Sequence, residues 1–309
     1  MSTASRRSVG VWRVASRHLS IAIPALITQF TAAELFAQER EIGHATVEYS
    51  PSASQDNGGD TPLEFRFLTV DTAVTVPIAV DRWGITLLPG IAYRLYAAEE
   101  TTDVGATDPD SFHDLSASLG LARRFNDQWN AVLSVGAGLA TDFDELGGDA
   151  LRMQALALAS YNLSPNFTVG GGLILTNSFG QLLILPALQL NYVEERLRVE
   201  VLVPQRVAAS YALFNGFELG LSAQVSGNQF GVDQDDGVEF LVYSLVDAGA
   251  TASVRIAGPL WLSFYGGWAL SRTLELQDSE QEEIANLDTE EAPVFRATFS
   301  FRAPPPATD

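Results

Sequence analysis

From residue 40 onward the chain alternates in character at every second position. In residues 260–276, Leu260, Leu262, Phe264, Trp268, Leu270, Arg272, Leu274 and Leu276 fall on one face, and Trp261, Ser263, Tyr265, Ser271, Thr273 and Glu275 on the other. Residues 238–256 set Val238, Phe240, Val242, Val246, Val254 and Ile256 against Glu239, Tyr243, Asp247, Thr251 and Arg255. Period 2 is the signature of a strand with unlike faces. The segments that read this way are 44–51, 63–76, 84–98, 111–124, 129–141, 149–161, 167–177, 182–192, 197–204, 206–213, 217–230, 238–256, 260–277 and 293–302. Several exceed the roughly 5–6 residues usual for soluble strands and suit the roughly 9–11 needed to cross a bilayer at a tilt. The pattern predicts an all-β fold: a transmembrane antiparallel up-and-down β-barrel of about 14 strands. Twelve is the alternative if the hairpin near Ser178 or the one near Pro204 is misread. A soluble sandwich or lipocalin-like fold is the competing class.

The connections support the barrel. Odd-numbered ones, such as 52–62, 99–110, 142–148, 231–237 and 278–292, are long and Gly-rich or acidic. Even-numbered ones, such as 77–83, 125–128, 162–166, 193–196, 214–216 and 257–259, are short and turn-like. Long loops on one side and tight turns on the other are the asymmetry of outer-membrane barrels. Trp83, Phe125, Trp129, Phe167, Tyr192, Phe214, Phe217, Trp261 and Phe301 gather near the turn side, as an interfacial girdle would.

Residues 1–37 carry Arg6, Arg7, Arg13 and Arg17, then an apolar stretch, then Ala33 and Leu35-Phe-Ala37. This order predicts a secretory signal peptide over 1–37, with cleavage after Ala37 or, second, Ala33. The barrel would occupy 38–302 and a disordered periplasmic tail 303–309. Composition narrows the partners. The 309 residues hold 38 acidic and 18 basic side chains, for a net charge of -20, and no cysteine; every basic residue is Arg. Such acidity excludes nucleic acid, and the lack of cysteine excludes thiolate chemistry and iron–sulfur sites.

Alternation supplies the candidate site. The expected pore-lining residues are Glu64, Arg66, Arg94, Asp114, Arg152, Glu200, Glu218, Glu239, Asp247, Arg255 and Arg296. They belong to an inward set that also holds Glu48, Arg198, Glu275 and Arg302. A mixed-charge wall suits a wet pore and equally suits ion pairs bracing a closed barrel. Asp108, Asp142, Asp144 and Glu145 represent an acidic rim that would repel anions and gather divalent cations. Metal and catalytic signals are weak. His44 and His113 have no paired spacing, and Asp233–Gly237 lacks the distal Glu of a calcium loop. Ser111, His113 and Asp114 sit together near a loop, but alternation throws His113 and Asp114 to opposite faces. Gly136-Ala-Gly138 and Gly170-Gly-Gly172 lie inside strands, which speaks against phosphate loops. No cofactor, metal or enzymatic activity is expected.

Leu88-Pro-Gly90 with Tyr93, Phe112-His113, Pro186 with Tyr192, and Leu202-Val-Pro204 followed by Tyr211 resemble a family of bacterial outer-membrane barrels, DUF6268. The last strand, Val294–Phe301, is similar to the C-terminal signature that such barrels present to the barrel-assembly machinery. The resemblance implies an outer-membrane β-barrel and no known substrate. The sequence-based expectation is a barrel in a bacterial outer membrane, in contact with lipid and lipopolysaccharide, that passes small solutes. A structural or surface-binding barrel is the alternative, and a lipid-modifying enzyme the remote one.

Overall fold

The computed structural model describes residues 40–55, 63–80, 84–102, 105–106, 110–142, 150–178, 181–232, 238–289 and 291–303. The strands are β1 (Arg40–Gln55), β2 (Leu63–Thr75), β3 (Ile78–Val80), β4 (Ile85–Thr102), β5 (Gly105–Ala106), β6 (Asp110–Arg124), β7 (Trp129–Thr141), β8 (Leu151–Ser164), β9 (Phe167–Thr176), β10 (Leu183–Glu194), β11 (Leu197–Val203), β12 (Arg206–Phe214), β13 (Phe217–Gly231), β14 (Phe240–Ala257), β15 (Leu260–Gln277), β16 (Glu283–Thr289) and β17 (Ala292–Ala303). All pairings between neighbouring staves are antiparallel, a single parallel bridge joins β13 to β7, and β17 closes the sheet on β1, with Arg296 opposite Glu48 and Ser300 opposite His44. β3 extends the β2 stave along β4, β5 caps the loop end of β4, and β16 caps that of β15. The barrel therefore has 14 staves. Closure removes the edges that would otherwise leave backbone N–H and C=O groups unpaired in lipid.

The tight turns have local causes. Asn126 Oδ1 accepts from the backbone N–H of Gln128 at 2.8 Å and of Trp129 at 2.7 Å, an Asx turn. Asn215-Gly216 turns β12 into β13 with Gly216 at φ 92°, a conformation glycine adopts without steric penalty. Outside the barrel, Val47, Leu119, Leu133, Leu173, Leu221, Phe264 and Phe295 are exposed. In water such a surface would be an aggregation hazard; against lipid it is the expected face. Phe125, Trp129, Phe214 and Phe301 are exposed near the turns, and Trp129 meets Tyr161 edge to face at 5.0 Å.

Several expectations need correction. Residues 278–292, read as a loop, contain β16, which pairs with the loop end of β15 through Leu274 and Leu287. The stretches 77–83 and 99–110 likewise contain β3 and β5. Trp261 does not belong to the girdle. It points inward, is 2% exposed, and lies under the guanidiniums of Arg255 and Arg302. β17 runs one residue into the expected tail, to Ala303. The signal-peptide reading, Trp83 and residues 304–309 lie outside the described residues.

Candidate functional site: the lumen

Pairing registers and burial fix which side chains face inward, and these divide the lumen into three zones. The first is a polar cavity of about 430 Å³. It extends from the turn end, at Glu41, Glu218 and Arg302, to Tyr96, Tyr243 and Leu245. Five carboxylates (Glu41, Glu48, Asp71, Glu200, Glu218) and five guanidiniums (Arg94, Arg198, Arg206, Arg296, Arg302) line it, with Thr46, Thr69, Ser210, Ser222, Gln224, Ser253 and Thr298 between them. Lumenal charges in low dielectric need partners, and the ion pairs are found across strands. Arg296 donates to Asp247 Oδ1 at 2.9 Å and Oδ2 at 2.6 Å, and its Nε to Glu48. Tyr265 donates to Asp247 Oδ1 at 2.6 Å. Arg94 Nε donates to Asp71 Oδ2 at 2.8 Å, and its Nη1 to Tyr96 Oη at 3.1 Å. His44 joins them, with Nδ1 2.6 Å from Glu41 Oε1 and Nε2 3.6 Å from Asp71 Oδ1. Arg302 Nη1 lies 3.1 Å from Glu218 Oε2 at the turn end.

Glycine makes room for one of these contacts. A Cβ on Gly249 would sit 2.6 Å from the Tyr265 ring, and one on Gly267 2.5 Å from its hydroxyl. The phenol end of Tyr265 rests against this pair, and its hydroxyl reaches Asp247.

The second zone closes the loop end. Phe67, Phe112, Phe230, Tyr243, Tyr96, Val238, Leu241, Leu274 and Val294 form one apolar cluster. Phe112 and Phe230 rings are 5.3 Å apart, and Tyr96 stands edge-on to Phe230 at 5.2 Å. The end of β13 leans across the lumen to complete this plug. Gly231 pairs with Thr141 of β7, Asn228 Nδ2 donates to Asp114 Oδ2 at 2.9 Å, and Arg152 Nε donates to the Gln229 carbonyl. The third zone is an apolar strip along β4–β11: Leu88, Ala122, Val132, Leu158, Ile174, Ala187 and Leu202, with Leu156 and Leu185.

Of the expected pore-lining residues, Glu200, Glu218, Arg94 and Arg296 line the cavity. Asp247 lies fully buried behind it. Asp114 and Arg152 border a smaller pocket of about 40 Å³ where β13 meets β6 and β8. Arg255 faces inward at the turn end, donating to Asn215 Oδ1 at 3.3 Å. Glu239 lies half-buried just before β14. Arg66 needs correction. Along β2 it is Phe67, Thr69 and Asp71 that face inward, because Phe67 enters the plug; Arg66 is exposed on the outer face opposite Glu99. The side chain of Glu64 lies outside the described residues. Glu275 also changes face, because β15 bulges opposite Val246 and Asp247. That bulge sends Arg272, expected outside, into the plug, 1% exposed over the Phe67 ring and donating to Ser50 Oγ at 3.1 Å. Of the acidic rim only Asp142 is described; Thr141 Oγ1 donates to its Oδ1 at 3.3 Å. Asp108, Asp144, Glu145 and the Asp233–Gly237 loop lie outside the described residues.

Among the described residues no group of three or more His, Asp or Glu side chains is placed to hold a metal ion. His113 and Ser111 alternate onto the outer face, where His113 Nδ1 is 2.7 Å from Tyr93 Oη, while Asp114 faces inward.

Closure, apolar exterior and polar interior define an outer-membrane-type β-barrel, and they point to an outer-membrane location. The chain belongs to the family described as Domain of unknown function (DUF6268), whose profile matches residues 80–303. No curated protein sequence matches the chain. Among solved structures it is similar to the COG4313 outer membrane channel from Pseudomonas putida F1, at 14% identity over 89% of this chain and 100% of that one, TM-score 0.43. It is also similar to the Ralstonia pickettii toluene transporter TbuX, at 9% identity over 87% and 91%, TM-score 0.38. LpxR from Salmonella typhimurium matches at 9% identity over 84% and 99%, TM-score 0.32.

Proposed function

We propose that the protein is a passive outer-membrane channel for small polar solutes, held shut at its loop end by the aromatic plug. The observation that carries this reading is the charge-balanced cavity running from the turn end to the plug. A barrel that only braced the envelope would gain from an apolar filling, which removes the desolvation cost of lumenal charge. Here one side of the lumen is filled that way and the other is kept polar. Equal numbers of carboxylates and guanidiniums favour passage without strong charge selection in the cavity itself. The plug supports the competing reading, a structural barrel without conductance. Planar-bilayer recording separates the two. A channel gives stepwise conductance that grows when Phe112 and Phe230 are both replaced by Ala. A structural barrel gives no steps in either form.

A further inference from the structure

The wall of this barrel has a gap. β11 has 7 residues and β12 has 9, and they turn at Pro204-Gln205. At about 3.3 Å per residue and a tilt near 45°, β11 rises about 16 Å, against an apolar band of about 25 Å. The neighbouring strands continue past this hairpin. Among the described residues, β10 over Leu183–Ala187 pairs with β9 and with nothing on its β11 side. β13 pairs with β12 only up to Gln224, after which Val225 donates to the Gln205 carbonyl at 2.9 Å. Its continuation then crosses toward β7 and β8, where the Arg152–Gln229 contact bounds the gap above. Among the described residues two strand edges are thus left unpaired at membrane depth. Open edges do not persist facing hydrocarbon unless they line a water-filled or occupied cavity.

Both surfaces beside the gap are informative. Its outer margin is apolar, with Ile184 and Leu188 more than 60% exposed, and Leu221 and Val225 also exposed. Its inner margin is split. The β10–β11 side presents Leu185, Ala187 and Leu202 of the apolar strip. The β12–β13 side presents Arg206, Gln224 and Ser226 of the polar cavity.

We propose that this gap is a lateral portal between the outer half of the bilayer and the lumen, admitting small amphiphiles with an apolar body and an anionic head. The body lies along the Leu185–Leu202 strip, and the head meets Arg206 in the cavity. This rests on the channel reading and names a second solute class and a second entrance, which bypasses the plug.

The test uses the whole protein in lipid vesicles, and the absence of native cysteine allows single labels. Bimane is placed at Ser226→Cys, on the unpaired edge, and at Ser222→Cys, inward-facing and paired on both sides. Phospholipid carrying a nitroxide in mid-chain is the quencher. A portal gives at least threefold stronger quenching at 226 than at 222; equal quenching overturns it. A second arm follows uptake of a fluorescent medium-chain carboxylate. Arg206→Gln is expected to lower that uptake at least fivefold, with less effect on the matching alcohol. Equal uptake in both proteins overturns the assignment of the head group. Conductance in the same vesicles keeps the two readings apart. Conductance with equal quenching sinks the portal and leaves the channel standing, whereas quenching at 226 without conductance or uptake sinks the channel reading and the portal's role in transport with it.

Discussion

Replacing Arg296 by Met should destabilise the barrel more than any other single change in its lumen. Asp247 has no exposed surface, and its carboxylate is held by two guanidinium N–H groups of Arg296 and the Tyr265 hydroxyl. Without Arg296 one neutral hydrogen bond remains to a buried charge, and Glu48 loses its partner as well. Breaking a buried pair in this way costs about 3–5 kcal/mol, and the adjoining cavity, which admits water, favours the lower figure. For a protein of this size about 3 kcal/mol corresponds to a fall of roughly 6–12 °C in the unfolding midpoint. The assay is the temperature at which the folded, fast-migrating form is lost in gels, checked by urea unfolding in lipid vesicles. Asp247→Asn in the same background removes the stranded charge and should restore more than about 1 kcal/mol, a coupling expected of residues in one network. A loss below about 1 kcal/mol, or strict additivity in the double variant, would refute the claim that this network braces the wall.

Three other outcomes follow. Gly267→Val should displace Tyr265 from Asp247 and cost roughly 1–3 kcal/mol, visible as a lower gel-shift temperature; Gly266→Val, in the same strand with only an ordinary contact to Phe295 at 4.0 Å from its Cβ, serves as a control for general strand effects. Neutralising Asp108, Asp142, Asp144 and Glu145 together should weaken a cation preference read from reversal potentials, and that preference should itself fade as salt shortens the Debye length to about 3 Å at 1 M. The purified protein should require detergent and migrate faster unheated than heated; a monodisperse detergent-free solution would contradict the membrane-facing exterior.

The sequence makes the staves legible because period 2 is local, and a long run of it survives at almost every strand. The lumenal network was legible for the same reason: Glu48, Asp247 and Arg296 alternate with greasy neighbours and so share the inner face. Where alternation breaks, the reading breaks with it. The bulge in β15 shifts the face of everything beyond Ala269, which is why Arg272 and Glu275 exchange sides. Phe67 looks lipid-facing in Glu64-Phe-Arg-Phe67, and only the arrival of Phe230 from a distant strand gives it an interior partner. Trp261 resembles a girdle residue until Arg255 and Arg302 close over it. The plug and the gap are both non-local. The shortness of the Leu197–Phe214 hairpin was visible, but its consequence depends on how far β10 and β13 continue beside it.

The plug is the part of the account most directly open to measurement. With no native cysteine to interfere, Phe112→Cys/Phe230→Cys places two thiols where rings now stand 5.3 Å apart, within reach of a short bifunctional thiol reagent. Single-channel recording before and after that reagent, with a monofunctional one as control, tests whether separation of these strands opens the lumen. Stepwise conductance is expected that the bifunctional reagent abolishes and the monofunctional one does not. Conductance that persists with the two strands linked would mean that ions take another path and that the aromatic cluster is not the gate.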